Sequence, residues 1–283
     1  MISIENLSFK YKTGSVNALN NINLEIEKGD FVGIIGESGS GKTTLCNSIN
    51  ALIPHHFKGD FWGSVKIDGK DTFDVKPGVL ALKVGSVFQD IDSQMVCSFV
   101  EDEIRFGLEN FRFDKDKIED SITEALRNVG MEDFRQREIS SLSGGQKQKV
   151  AIAAILALKP EILVLDEPTG ELDPSSSREI FLLLKRLNEE ENMTIIIVEQ
   201  KIMLLCEFVK NLIVLEKGSL VSKGAVREVL KDSKKLEEKG INCPRVVALY
   251  EELQEKHLLD GKNTELCINS KEAASVINAV IKG

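Results

Sequence analysis

The run Gly36-Glu37-Ser38-Gly39-Ser40-Gly41-Lys42-Thr43 fits the phosphate-loop pattern G-x-x-x-x-G-K-[ST] at every fixed position. Glycines let the backbone bend so that successive N–H groups point into one concavity, a nest for anions. A helix beginning near Gly41 adds the positive end of its dipole. Lys42 can reach the β- and γ-phosphates as a point charge, and the Thr43 hydroxyl can hold Mg²⁺; Thr44 completes the candidate set. The reading is a nucleoside tri- or diphosphate site rather than a flexible Gly/Ser loop.

Four other stretches can extend that chemistry. Asp166 and Glu167 follow the apolar run Ile162-Leu163-Val164-Leu165, so both carboxylates should emerge at the C-terminal end of a strand, where open α/β sheets bind ligands. Asp166 suits Mg²⁺ coordination, and Glu167 is placed to orient or deprotonate an attacking water. Gln89 ends another strand and can touch the metal's water shell. Ser143-Gly144-Gly145-Gln146, just before a helical run, offers a second anion-binding helix tip. One nucleotide does not need two cradles, so a site shared between two chains is expected. Tyr11 can stack on a base or serve the core; the pattern supports either.

The elements that must position these residues follow from periodicity. Residues 2–11 and 22–26 alternate apolar and polar, as half-buried antiparallel strands do. The apolar run 31–35 leads into the loop, and Leu45, Ile49 and Leu52 give the helix after it. Residues 63–69 read as a strand ending in an Asp-Gly turn, and 83–88 as a short buried strand. From Asp90 to Pro160 the spacing becomes helical, with Ile118, Ile122, Ala125, Leu126 and Val129 on one stripe. Buried strands return at 162–165 and 194–198, flanking a helix marked by Ile180, Leu183, Leu184 and Leu187. A terminal hairpin spans Leu212–Leu215 and Leu220-Val221. Helical stretches at 246–259 and 270–281 close the chain, the second with a stripe of Ala273, Val276, Ile277, Val280 and Ile281. The expected fold is α/β: a parallel sheet core with an antiparallel β subdomain and an inserted helical subdomain. The expected units are residues 1–225, with the insert at about 91–160, and a C-terminal helical region at 226–283.

Composition narrows the function. The 283 residues are 42% hydrophobic and 29% charged, with a net charge of −9, so nucleic acid is not an expected partner. The longest apolar run, Val150–Leu158, is too short to span a bilayer, and the N-terminus lacks the features of a secretory signal. Cys46, Cys97, Cys206, Cys243 and Cys267 are scattered and odd in number, which suits a reducing compartment. The His55-His56 pair reads as a loop or contact feature.

Taken in order, Gly36–Thr43, Gln89, Leu142–Gln146, Ile162–Glu167 and Leu172-Asp173 resemble the ATP-binding-cassette (ABC) ATPases over roughly residues 1–225. The resemblance implies a P-loop NTPase fold with ATP and Mg²⁺. It also implies a head-to-tail dimer in which ATP on one subunit's loop meets Ser143–Gln146 of the other, with Asp173 at the interface. A narrower resemblance, carried by Val87-Phe88-Gln89-Asp90-Ile91-Asp92-Ser93-Gln94, Val100–Ile104 and Phe106–Asn110, is to the ATPase subunits of energy-coupling-factor (ECF) importers. Leu52-Ile53-Pro54-His55 is similar to the hydroxymethylpyrimidine/thiamine branch, and the tail to the family's C-terminal dimerisation helices. These likenesses imply a peripheral subunit on the cytoplasmic face of the cell membrane. Its partners would be an integral membrane coupling subunit, contacted near Asp90–Glu109, and a substrate-binding membrane subunit. ATP hydrolysis would drive uptake of a vitamin or metal ion. The acidic residues after Gln89 would receive basic groups of the coupling subunit.

One position departs from the family. Where its members usually carry a histidine that contacts the γ-phosphate, this chain has Gln200, which donates a hydrogen bond but cannot become a cation. Slow hydrolysis at this chain's own loop is therefore expected, with a related, fully equipped ATPase as partner: a heterodimer rather than a homodimer. The competing reading is a soluble ABC ATPase acting on nucleic acid or ribosomes. The acidity and the short stretch between Gln89 and Ser143 stand against it.

Overall fold

In the computed structural model, which describes residues 1–259 and 265–282, strand alternation and strand continuity build two different sheets. The strands are β1 (Ile2–Tyr11), β2 (Leu19–Ile26), β3 (Phe31–Ile35), β4 (Gly59–Ile67), β5 (Lys70–Asp71) and β6 (Val84–Val87) in the first part of the chain. They continue with β7 (Ile162–Asp166), β8 (Thr194–Val198), β9 (Asn211–Glu216) and β10 (Ser219–Ala225). Strands β2-β1-β4-β5 form an antiparallel sheet, and β10-β9-β3-β8-β7-β6 a second sheet, parallel except at its β10 edge.

Pattern explains the difference. In β1 the buried residues Ile2, Ile4, Leu7 and Phe9 share one face, and the other face is wet. In β3, β7 and β8 every residue is buried. Alternate side chains there enter two separate cores. Leu163, Leu165, Ile195 and Ile197 face the helical side. Ile162, Val164, Ile196 and Val198 face the antiparallel sheet. Covered on both faces, such strands have no polar positions to alternate with.

Helices α1 (Lys42–Ile49), α2 (Leu52–His55), α3 (Pro77–Leu80), α4 (Ile91–Gln94), α5 (Val100–Asn110), α6 (Lys115–Val129) and α7 (Gly144–Leu156) precede β7. After it come α8 (Pro174–Glu191), α9 (Ile202–Phe208), α10 (Val226–Leu230), α11 (Ser233–Glu238), α12 (Arg245–Glu255) and α13 (Ser270–Lys282). The stripe Ile118, Ile122, Ala125, Leu126 and Val129 is buried, and Gly130 ends α6 in the left-handed conformation at φ 67°. Helix α9 lies so close to β3 that a Cβ on Gly33 would sit 2.9 Å from a Leu205 methyl.

Several boundaries differ from the sequence reading. The helix after the loop stops at Ile49, before Leu52, because Ala51 turns left-handed at φ 60°. Strand β4 starts at Gly59 rather than Gly63: Asp60, Phe61 and Trp62 pair with β1 although their pattern is not alternating. Helices α9, α10 and α11 are short and leave little periodic signal. On α13, Ala273 and Val276 are buried, whereas Ile277 and Ile281 of the same stripe are exposed. Residues 260–264 and Gly283 of the expected C-terminal region lie outside the described residues. Among the described residues no helix is long and apolar enough to cross a membrane.

A four-membered ion network ties α5 to α6. Glu101 and Glu119 each accept hydrogen bonds from both Arg105 and Arg135, with Arg135 Nε 2.5 Å from Glu101 Oε2. The Arg135 guanidinium, then that of Arg105, holds the Glu101 carboxyl below its ordinary value of 4.5. Because the folded-state value is depressed, the stabilisation is present above about 4.5 and is lost as pH falls through the lower value. Glu101→Gln is expected to cost about 1 kcal/mol near neutral pH. Its melting temperature should also fall less steeply below pH 4.5 than that of the parent; equal slopes in thermal melts would refute the linkage.

Candidate functional site

Four neighbouring strands, β6, β7, β8 and β3, end at one edge, and the chemistry-bearing residues lie just beyond their C-termini. Ile34 is level with Val198, and Val198 with Asp166, so the three central strands stop together. After β3 the loop turns through Gly36 at φ 154° and Gly41 at φ 103°. A Cβ on Gly36 would sit 2.2 Å from the Leu215 carbonyl oxygen, and one on Gly41 2.6 Å from that of Ala18. Only glycine fits either position. Helix α1 then starts at Lys42, so its free N–H groups open toward the loop.

The Lys42 ammonium folds over the loop and donates to the Gly36 and Glu37 carbonyls, both at 2.9 Å. Burial pulls its pKa down, while the charges of Glu167 and Asp166 push it back up. Both carboxylates are thus within electrostatic reach of the lysine. Ser40 Oγ and Asp166 Oδ1 are buried without a hydrogen-bond partner. Burial pushes the Asp166 carboxyl up, and a hydrogen bond from the Thr43 hydroxyl opposes this. An orphaned carboxylate oxygen next to an exposed threonine hydroxyl is an arrangement a divalent cation completes. No cluster of three or more His, Cys, Asp or Glu residues able to hold a metal occurs among the described residues. A cation here would therefore take most of its remaining ligands from phosphate oxygens and water.

Glu167 has the left-handed φ of 50°, held by its N–H donating 2.9 Å to the Val198 carbonyl. Two side-chain amides converge on its carboxylate. Gln89 Nε2 is 3.2 Å from Oε2, and Gln200 Nε2 is 2.8 Å from Oε2 and 2.9 Å from Oε1. Gln89, Glu167 and Gln200, far apart in the sequence, thus form one polar cluster.

Ser143 is exposed at the tip of α7 and forms a capping box with Gln146: Ser143 N–H donates to Gln146 Oε1 at 2.9 Å, and Gln146 N–H to Ser143 Oγ at 3.3 Å. Gly144 and Gly145 form the first turn, where a Cβ would press on Leu172 and Ser176 respectively. Asp173 is exposed and caps α8, accepting from Ser175 N and Ser176 N; the Ser176 hydroxyl, 2.5 Å from Oδ2, holds its carboxyl low. Tyr11 packs with the core and also reaches the loop. Its ring packs edge-on against Phe9 and Phe57, and its hydroxyl lies 3.2 Å from Thr44 Oγ1 at the loop. The ring borders a cleft of about 940 Å³ with Lys10, Lys12 and Lys58. His55 Nε2 meets the Thr72 carbonyl at 3.0 Å and His56 packs on Phe57, a contact role for both.

Some contributors left no sequence signal. The β9–β10 turn braces the phosphate loop, with Gly218 N–H 3.0 Å from the Ser40 carbonyl. Glu37 lies against Gly240, so the C-terminal region touches the loop as well. The acidic segment after Gln89 is less available than its charge suggested. Asp92 pairs with Lys147, Glu101 with two arginines, and buried Glu103 accepts the N–H groups of Val96 and Cys97. Asp90, Asp102 and Glu109 stay exposed in that segment, and the apolar Phe88, Val96, Phe99 and Phe106 are exposed as well.

A phosphate loop, an acid pair at strand ends and an exposed Ser-Gly-Gly helix tip together define a P-loop ATPase of the cassette type. Residues 19–170 match the family described as ABC transporter. A putative ABC transporter ATP-binding protein of Pyrococcus horikoshii is 42% identical over 260 residues, spanning 92% of each chain. The energy-coupling factor transporter ATP-binding protein EcfA of Pediococcus pentosaceus is 39% identical over 259 residues, 90% of each. Among solved structures, cbiO1 of Clostridium perfringens, part of the ABC transporter complex cbiONQ, superposes with a TM-score of 0.75 at 32% identity. That match covers 88% of this chain and 98% of the other. An ATP-binding cassette solved as a dimer after hydrolysis, with ADP and Pi, gives 0.69 at 32% identity over 80% and 99%. The chain belongs to the ABC transporter family and is one of its ATP-binding, ATP-hydrolysing proteins.

Proposed function

We propose that this chain is the ATPase subunit of an ECF-type importer and supplies half of each of two nucleotide sites in a dimer. The observation that carries the reading is the grouping of Lys42, Asp166, Glu167, Gln89 and Gln200 at one sheet edge, with Ser143 exposed on a separate helix tip. One chain has the loop and the acids; a neighbour's Ser143–Gln146 completes the site. Similarity to EcfA and to cbiO1 supports the importer class. Within the chain, residues 1–225 act as the cassette, with the helical insert at about 91–160, and residues 226–283 serve dimerisation, for which exposed Ile277 and Ile281 offer apolar surface.

In this mechanism Gly36–Thr44 bind the phosphates through backbone N–H groups, the helix dipole and the Lys42 ammonium. Thr43, Gln89 and Asp166 would hold Mg²⁺, which when bound supplies charge neutralisation at the β- and γ-phosphates. Tyr11 stacks on the base. Glu167, oriented by the two glutamine amides, accepts a proton from the attacking water. Gln200 must leave Glu167 to reach the γ-phosphate and brings no positive charge, which favours slow turnover at this loop and a fully equipped partner ATPase.

The segment Asp90–Glu109, with exposed Asp102, Glu109, Val96, Phe99 and Phe106, receives the membrane coupling subunit, the backbone of Val96 and Cys97 being fixed by Glu103. Vitamin or metal specificity then resides in a separate substrate-binding membrane subunit. Purification of the tagged chain from solubilised membranes is expected to bring down two integral membrane proteins and a second ATPase. Phe106→Glu should release the membrane proteins but keep ATP binding. Recovery of the chain only with nucleic acid or ribosomes would overturn the proposal.

A further inference from the structure

Three consecutive residues after β8 grip the segment that follows β7. The carboxylate of Glu199, 2% exposed, accepts the N–H of Thr169 at 2.9 Å and its hydroxyl at 2.5 Å. Gln200 holds both oxygens of Glu167. The Lys201 ammonium meets three acceptors: the Thr169 carbonyl at 2.6 Å, the Leu172 carbonyl at 2.7 Å and Ser177 Oγ at 2.8 Å. Three donors on three acceptors saturate the ammonium, so the lysine is spent on one loop and has no donor left for solvent or phosphate.

That loop is short and has chemistry at both ends. It begins at Glu167 and ends at Asp173, the exposed cap of α8. Its own backbone bonds, Gly170 N–H to the Glu167 carbonyl and Leu172 N–H to that of Thr169, make successive turns but do not tie it to the sheet. Besides the Glu167 N–H on the Val198 carbonyl, anchorage to the sheet comes from Glu199 and Lys201, which follow the strand next to β7. Bonds from a charged donor to carbonyls are among the stronger ones available; without them the Thr169 carbonyl keeps the Leu172 N–H, and the Leu172 carbonyl the Ser177 hydroxyl at 3.4 Å.

We propose that Lys201 is a positioning residue that sets the distance between Glu167 and Asp173, and so joins water activation in this chain's site to the neighbour-facing end of the loop. The inference rests on the reading of Glu167 as the group that takes the proton from water. Nucleotide binding draws on Lys42 and the loop backbone, which Lys201 does not contact, so the effect should separate into turnover and affinity.

The test uses the full chain, purified with the subunits that accompany it, and compares Lys201→Met with Lys201→Arg. Misplacing a reacting group by about 1 Å costs about 10²-fold, so Lys201→Met is expected to lower kcat at least about tenfold. KM for ATP and directly measured ATP affinity should stay within about twofold, and Lys201→Arg, which keeps a charged donor, should recover a large part of the loss. Unchanged kcat in Lys201→Met overturns the proposal. So does a parallel loss of ATP affinity, which marks collapse of the whole site. Should the methionine variant not fold, Lys201→Gln, which keeps a polar donor but no charge, takes its place: a drop in kcat alone supports the proposal and no change overturns it. Absence of ATP turnover in the parent assembly would instead refute the ATPase reading itself.

Discussion

Replacing Glu167 with glutamine is expected to lower ATP turnover by about 10²–10⁴-fold, the contribution of a positioned general base. The substitution keeps shape and volume but removes the group that can accept a proton from water. Lys42, Thr43 and the loop are untouched, so ATP should still bind. A dimer that closes on ATP and cannot hydrolyse it should then accumulate and elute earlier in gel filtration when ATP is present. The side chain's present partners sharpen the expectation. Both Gln89 and Gln200 donate to the carboxylate, and the introduced amide presents one acceptor oxygen in place of the pair. If turnover in the assembled complex is the same in Glu167→Gln as in the parent, the assignment of Glu167 is wrong.

Gln200→His carries the second large effect, in the opposite direction. A transition-state charge contact at such a site is worth about 10²–10³ in rate, and the glutamine amide supplies a dipole where an imidazolium would supply a charge. In the structure Gln200 is exposed and engaged with Glu167 rather than buried, so a histidine can be accommodated without displacing the core. Turnover at this chain's loop should rise toward that of a fully equipped cassette. The measurement must isolate this loop, by combining the variant with a partner ATPase whose own phosphate-loop lysine has been replaced. Unchanged turnover in that assembly would show that Gln200 does not limit the rate.

Much of the site was legible because its chemistry is local. Phosphate binding needs glycines, a lysine and a hydroxyl within one short run, Gly36–Thr43, and the carboxylates need only a buried strand before them. The fully apolar runs at 162–165 and 194–198 likewise announced strands covered on both faces, and both lie inside the parallel sheet. Charge was a poorer guide. The acids after Gln89 read as a waiting surface, yet Glu101 and Glu103 are committed to arginines and to backbone N–H groups inside the fold. Sequence counts charges but does not say which are already partnered.

The sequence by itself determined which chemical groups exist, their order, and the kind of strand or helix that carries each one. Only the tertiary structure decided which of them meet. That β8 lies between β3 and β7 puts Glu199, Gln200 and Lys201 against residues 167–177, and that β10 folds back on β9 puts Gly218 beneath Ser40. The reason is physical: local periodicity fixes the direction of a side chain relative to its own strand. Strand neighbours, by contrast, are chosen by how two cores on opposite faces of one sheet close around it.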